Sequence, residues 1–168
     1  IKSTDNGINW INQNTNNDYE LFSVKFVDEN TGWAVGLYYS DAIGIILKTT
    51  NGGSIWTTQT IPNEYGFCSV DFIDQNNGCI AGWFGRIQRT TNGGTTWTAF
   101  TPTGAINTSE IAPVPGTTST WYSVGGVWPF IASTYGSSYS TDNGASWTAI
   151  DALQYTAVSF LNANTGWA

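Results

Sequence analysis

Short runs of alternating apolar and polar residues recur along the chain. Val24-Lys25-Phe26 and Val70-Asp71-Phe72 each lead through an Asp-x-Asn turn into a second apolar run, Gly32-Trp33-Ala34-Val35-Gly36 and Gly78-Cys79-Ile80-Ala81-Gly82, and Val158-Ser159-Phe160 starts the pattern again. A two-residue period in runs this short predicts half-buried strands joined by tight turns. A third strand such as Ile45-Ile46-Leu47-Lys48 and a fourth after the following turn complete each unit. Between Ile111 and Gly125 a degenerate version, interrupted by Pro113 and Pro115, fills the same slot.

A second motif punctuates these units. Ser3-Thr4-Asp5-Asn6-Gly7-Ile8-Asn9-Trp10 reads Ser/Thr-x-Asp/Asn-x-Gly-x-x-Trp, and so do the segments carrying Thr49, Asn51, Gly53 and Trp56; Thr90, Asn92, Gly94 and Trp97; and Ser140, Asp142, Gly144 and Trp147. This Asp box suits a hairpin turn between third and fourth strands. Its Asp/Asn side chain accepts backbone N–H groups two residues on, Gly supplies a positive φ, and the Trp buries a large ring against the hairpin. All four boxes read as structural. Two of them carry Asn where a hard cation would want a carboxylate, so no metal site is expected there.

The box tryptophans recur roughly every 45 residues, which is the period of a four-stranded propeller blade. The fold expected is therefore all-β, a partial β-propeller ring of four-stranded antiparallel blades with an Asp-box hairpin between third and fourth strands. Residues 1–168 form a single fragment, with a half blade at about 1–13, blades at 20–60, 66–101 and 105–150, and a further half blade at 155–168. The sequence starts at Ile1 and stops inside a repeated motif, so the remainder of a longer chain is expected to complete the ring.

These paired motifs resemble the Asp-box, or bacterial neuraminidase repeat, propellers, and most of all the photosystem II stability/assembly factor-like propeller family. The likeness is tightest over residues 21–100, while the last full unit matches through its box alone. It implies a non-enzymatic interaction scaffold. Similar repeats in secreted and surface proteins lead to an expectation of an extracellular, periplasmic or cell-surface protein with a protein or glycan partner. Sialidases and xyloglucanase-type glycosidases share the box, which makes part of a glycoside hydrolase, with its catalytic residues outside this sequence, the alternative.

Composition narrows the chemistry. There is no His, which rules out Ser-His-Asp and Cys-His units within these residues. The net charge is −7 and the five basic residues are scattered, so no stripe exists to neutralise phosphates and nucleic acid is not expected as a partner. No apolar run approaches the ~18 residues of a membrane helix, and no membrane insertion, cofactor or metal is expected. The carboxylates that could serve a glycosidase are Asp18, Glu20, Asp41, Glu64, Glu110 and Asp151, of which all but Glu110 lie on the face of the second-to-third strand and inter-blade loops; no catalytic residue is assigned.

Two further expectations concern side chains. Loops between second and third strands hold aromatics in every full unit, namely Tyr38 and Tyr39, Trp83 and Phe84, Trp128 and Phe130, and mark a ligand face. Cys68 and Cys79 align with Phe22 and Trp33 of the preceding unit, and this paired replacement predicts an intrablade disulfide.

Overall fold

The computed structural model describes residues 1–13, 18–59, 61, 64–126 and 135–168. Its strands, in chain order, are β1 (Tyr19–Phe26), β2 (Gly32–Tyr38), β3 (Gly44–Thr49), β4 (Thr57–Gln59), β5 (Phe67–Phe72), β6 (Gly78–Gly82), β7 (Ile87–Thr90), β8 (Thr98–Phe100), β9 (Thr103–Gly104), β10 (Glu110–Pro113), β11 (Trp121–Gly125), β12 (Gly136–Ser140), β13 (Ser146–Asp151), β14 (Ser159–Asn162) and β15 (Thr165–Trp167). Sheets β1-β2-β3-β4 and β5-β6-β7-β8 are antiparallel blades in sequence order. The third blade, β10-β11-β12-β13, is widened by β9, which runs parallel to β13 along its outer edge. β14 and β15 form a two-stranded hairpin, and Lys2 pairs with Ile11. The architecture is the partial propeller that the alternation predicts.

Each Asp box closes the same way. The Ser3, Thr49, Thr90 and Ser140 hydroxyls accept the N–H of Gly7, Gly53, Gly94 and Gly144 at 2.8–2.9 Å. The Oδ1 atoms of Asp5, Asn51, Asn92 and Asp142 accept the N–H four residues on, each at 2.9 Å, rather than two on as expected. An amide oxygen serves as well as a carboxylate there, which is why Asn and Asp interchange. The box glycines have φ between 72° and 86°, and the residue before each is also left-handed, hence Asn or Gly.

Donors around the two carboxylates hold them near a pKa of about 2, chiefly the Asn9 N–H for Asp5 and the Ser146 hydroxyl for Asp142. A depressed folded pKa contributes stability above the unfolded value, roughly pH 4, that is lost as pH falls toward the folded one. The double variant Asp5→Asn/Asp142→Asn is therefore expected to lose less stability on acidification through that window than the native chain. Equal acid slopes in denaturant titrations would show that the boxes do not titrate.

The box tryptophans are not equally buried. Trp147 is 6% exposed beneath Phe100 and Ile106, Trp56 and Trp97 are half-buried, and Trp10 is 58% exposed. The difference lies in the neighbours. Trp56 and Trp97 meet Phe26 and Phe72, from the first strands of their own blades, edge to face at 6.0 and 5.9 Å. Among the described residues no first-strand ring is stacked on Trp10, which lies over its own turn and donates to the Gly7 carbonyl.

Blades join through contacts that also repeat. The cation before each of the first three boxes reaches the next box, with Lys2 donating to the Gly52 carbonyl, Lys48 to Gly93 and Arg89 to Asn143. Along the first strands, Ser23 accepts the Val70 N–H, Ser69 the Ile111 N–H, and Glu110 the Val158 N–H. Glu110, grouped above with possible catalytic acids, thus stands in the place of a seam serine.

The disulfide does not form. Cys68 and Cys79 are free. Cys79 lies opposite Asp71, while Cys68 occupies a bulge three residues further along β5. That offset is about 10 Å of strand, beyond what a disulfide spans. Burial pushes the thiols up to about 11 and about 12, which leaves them unreactive.

Candidate functional site

Blade topology gathers the β2–β3 and β6–β7 loops on one face with the segments that lead from one blade to the next. In the β2–β3 loop, the Ile43 carbonyl accepts the Tyr38 N–H and the Tyr38 carbonyl accepts the Ala42 N–H, while the Asp41 carboxylate accepts the Ile43 N–H. This tight closure throws Tyr39 outward, 80% exposed. Tyr38 turns inward instead and meets Tyr19 edge to face at 5.0 Å.

The β6–β7 connection is a single 3-10 turn, Trp83–Gly85, closed by the Gly82 N–H on the Arg86 carbonyl. Phe84 within it has φ 60° and ψ 29°. A bulky side chain in the left-handed region costs on the order of 1–2 kcal/mol and persists only where surrounding structure imposes it. Its ring, 52% exposed, packs edge to face on Tyr65 at 5.1 Å. Tyr65 is itself half exposed and bridges through its backbone to Ile43, another exposed apolar residue. Ile43, Tyr65 and Phe84 thus make one strip across the first two blades, and Tyr39 stands on the loop that carries Ile43.

Of the six aromatics expected to form a ligand face, Tyr39 and Phe84 are presented to solvent. Tyr38 and Trp83 are half-buried, Trp83 beside Gly66, whose carbonyl accepts its N–H. Trp128 and Phe130 lie outside the described residues. Ile43 and Tyr65 were not anticipated. The signal for Tyr65 was its place in an inter-blade segment, which topology puts on this face.

Two of the acids on this face, Glu64 and Asp151, lie against neighbouring side chains. Glu64 faces Arg86 at 3.8 Å from the floor of a cleft also walled by Phe84 and Phe100. Asp151 accepts from the Leu153 N–H and from the Ser137 and Tyr155 hydroxyls, and these donors, the Leu153 N–H foremost, hold its carboxyl below the usual range. Among the described residues no group of three Cys, Asp or Glu side chains could hold a metal ion. A wider cleft, lined by Leu21, Phe22, Val24 and Phe26, is a different kind of surface. The equivalent Val70 and Phe72 of the second blade are buried against the first, so that cleft has the character of a blade-to-blade face.

The sequence matches the family described as photosynthesis system II assembly factor YCF48 over residues 2–166. Solved structures share the fold, two of them as follows. One, YCF48 bound to D1 peptide, is 22% identical with a TM-score of 0.62 and covers 79% of this chain and 41% of its own. The other, YCF48 from Cyanidioschyzon merolae, is 19% identical with a TM-score of 0.59 and covers 82% of this chain and 41% of its own. The chain thus spans about two-fifths of the length of the structures it matches. No curated protein matches. A family defined by photosystem assembly overturns the expectation of an extracellular, periplasmic or cell-surface protein.

Proposed function

We propose that this chain, which belongs to the photosystem II assembly factor YCF48 family, is a non-enzymatic scaffold that holds a protein segment against the aromatic strip of Tyr39, Ile43, Tyr65 and Phe84. The observation that carries this reading is Phe84. Folding alone gains little from a phenylalanine in a left-handed turn with half its ring in water, whereas a binding site gains a rigid anchor. The structure of a family member bound to D1 peptide supports a protein segment as the ligand class. Stiff blades hold the strip in place before a ligand arrives, which lowers the entropy lost on binding.

The test is a titration of a fluorescently labelled D1 peptide and an unrelated peptide panel against native chain and variants. Phe84→Asn keeps a residue that tolerates the left-handed turn. Its thermal midpoint should match or exceed that of the native chain, while peptide affinity falls at least tenfold. Tyr39→Ala and Tyr65→Ala should weaken binding in the same direction. Unchanged affinity in all three variants, or binding confined to a glycan array, removes the strip as a protein site.

A further inference from the structure

We infer that the cleft beside Phe84 receives a lysine or arginine side chain of the protein segment held on the strip, with Glu64 as the group that recognises the cation; this rests on the strip being the seat of that segment. The cleft belongs to the second blade. Phe84 and Arg86 from the 3-10 turn, Ile87 at the start of β7, Phe100 opposite it at the end of β8, and Thr101 beyond form its walls, and Glu64 lies at its floor. It holds about 410 Å³, within the range of pockets that take small ligands. Phe84 belongs to both surfaces, since the ring that walls the cleft also packs on Tyr65 in the strip. A segment lying on the strip therefore reaches the cleft with one long side chain.

The carboxylate at the floor lacks a donor. Glu64 is fixed by its backbone carbonyl, which accepts the Gly44 N–H at 2.8 Å, and its side chain is 11% exposed. Among the described residues nothing donates to its buried Oε2, and Arg86 Nε stands off at 3.8 Å, outside hydrogen-bond range. An ionised oxygen shielded from water and short of a donor is costly, and an ammonium or guanidinium entering the cleft supplies what is missing. The rings of Phe84 and Phe100 offer apolar cover to the alkyl stem behind that charge.

The charge of the chain selects the same sign. Four of the five cations are tied into the blades: Lys2, Lys48 and Arg89 donate to carbonyls across the seams, and Lys25 pairs with Asp71 at 2.6 Å. Against them stand twelve carboxylates, for a net charge of −7. That field draws a basic segment in and repels an acidic one. Arg86, half exposed at the rim, is the cation left to attract a carboxylate, so a segment carrying glutamate is the competing occupant.

The experiment uses the whole 168-residue chain. Its probes are labelled D1 peptides in which each position in turn carries lysine, norleucine or glutamate. At the position that faces the cleft, lysine should bind about tenfold more tightly than norleucine, glutamate should bind weakest, and the lysine preference should shrink as salt is added. Glu64→Gln should bring the lysine-to-norleucine ratio near one while leaving norleucine affinity and the thermal midpoint as they were. Thr101→Lys, at an exposed rim position, puts the chain's own cation at the cleft and should erase the preference even if Glu64→Gln disturbs the fold. Lysine and norleucine binding equally at every position overturns the inference, as does a lysine preference that survives both substitutions or a glutamate peptide that binds tightest. Tyr39→Ala and Tyr65→Ala, outside the cleft, separate the two readings. If they weaken every peptide while no lysine preference exists, the cleft fails and the strip stands; if they change nothing, the strip fails and the inference with it.

Discussion

Trp147→Ala is expected to cost about 3–5 kcal/mol of unfolding free energy, the range for truncating a fully buried tryptophan. Trp10→Ala, at the same place in the same motif, should cost less than half as much in dilute solution. The box hydrogen bonds are the same in both, from the Gly N–H to the hydroxyl and from the N–H four residues on to the carboxylate. What differs is the cover. Trp147 lies in a cluster with Cys79, Ala81, Ile87, Ile111 and Trp121, and β9 pairs along its strand, whereas Trp10 is largely in solvent. Urea denaturation of both variants measures the two costs directly. Equal costs would mean that the turn itself, rather than the packing over it, sets the value of the box.

Gly94→Ala is expected to be more damaging still for its size. Its φ is +72°, and a Cβ there would sit on the indole nitrogen of Trp33 and within 3.3 Å of Trp97. Trp33 is fully buried and stacked on Phe72, so it cannot move aside without opening the seam between the first two blades. Gly116 is the control, with φ +78° and no atom within 4 Å of the added carbon. Gly116→Ala isolates the left-handed penalty, about 1 kcal/mol. Gly94→Ala adds overpacking of a rigid core, for about 3 kcal/mol or more in total. Thermal midpoints that fall equally in the two variants would show that the Trp33 seam yields more readily than its packing implies.

The two glycines also mark where the sequence was legible and where it was not. The boxes could be read because every bond that makes them lies within four residues, so the pattern of Ser/Thr, Asp/Asn and Gly is the structure written locally. The seams were not readable in that way. Lys48 and Gly93 are 45 positions apart, and the basic residue before a box looks like a scattered charge until the blades are stacked.

The proline-interrupted unit hid a compensating exchange. In the first two blades a first-strand Phe lies over a second-strand Gly, Phe26 over Gly32 and Phe72 over Gly78; in the third the ring moves to the second strand, as Trp121 opposite Pro113. The cysteine pairing failed because aligning both residues with an aromatic pair said nothing of the bulge at Cys68. Tyr39 and Phe84 stand out in the sequence as loop aromatics, and the structure exposes both. Tyr65 was missed because it joins the strip through its neighbours, Ile43 and Phe84, from a different loop.

Assigned amide chemical shifts, followed as a D1 peptide is added, decide whether the strip is the binding site. A peptide held on the strip perturbs chiefly residues 38–44, 64–66 and 83–86. The turns at Asp28–Thr31 and Asp74–Asn77, at the other end of the blades, should stay unmoved. Shifts centred on those turns, or on Leu21 to Phe26 of the first strand, would contradict it.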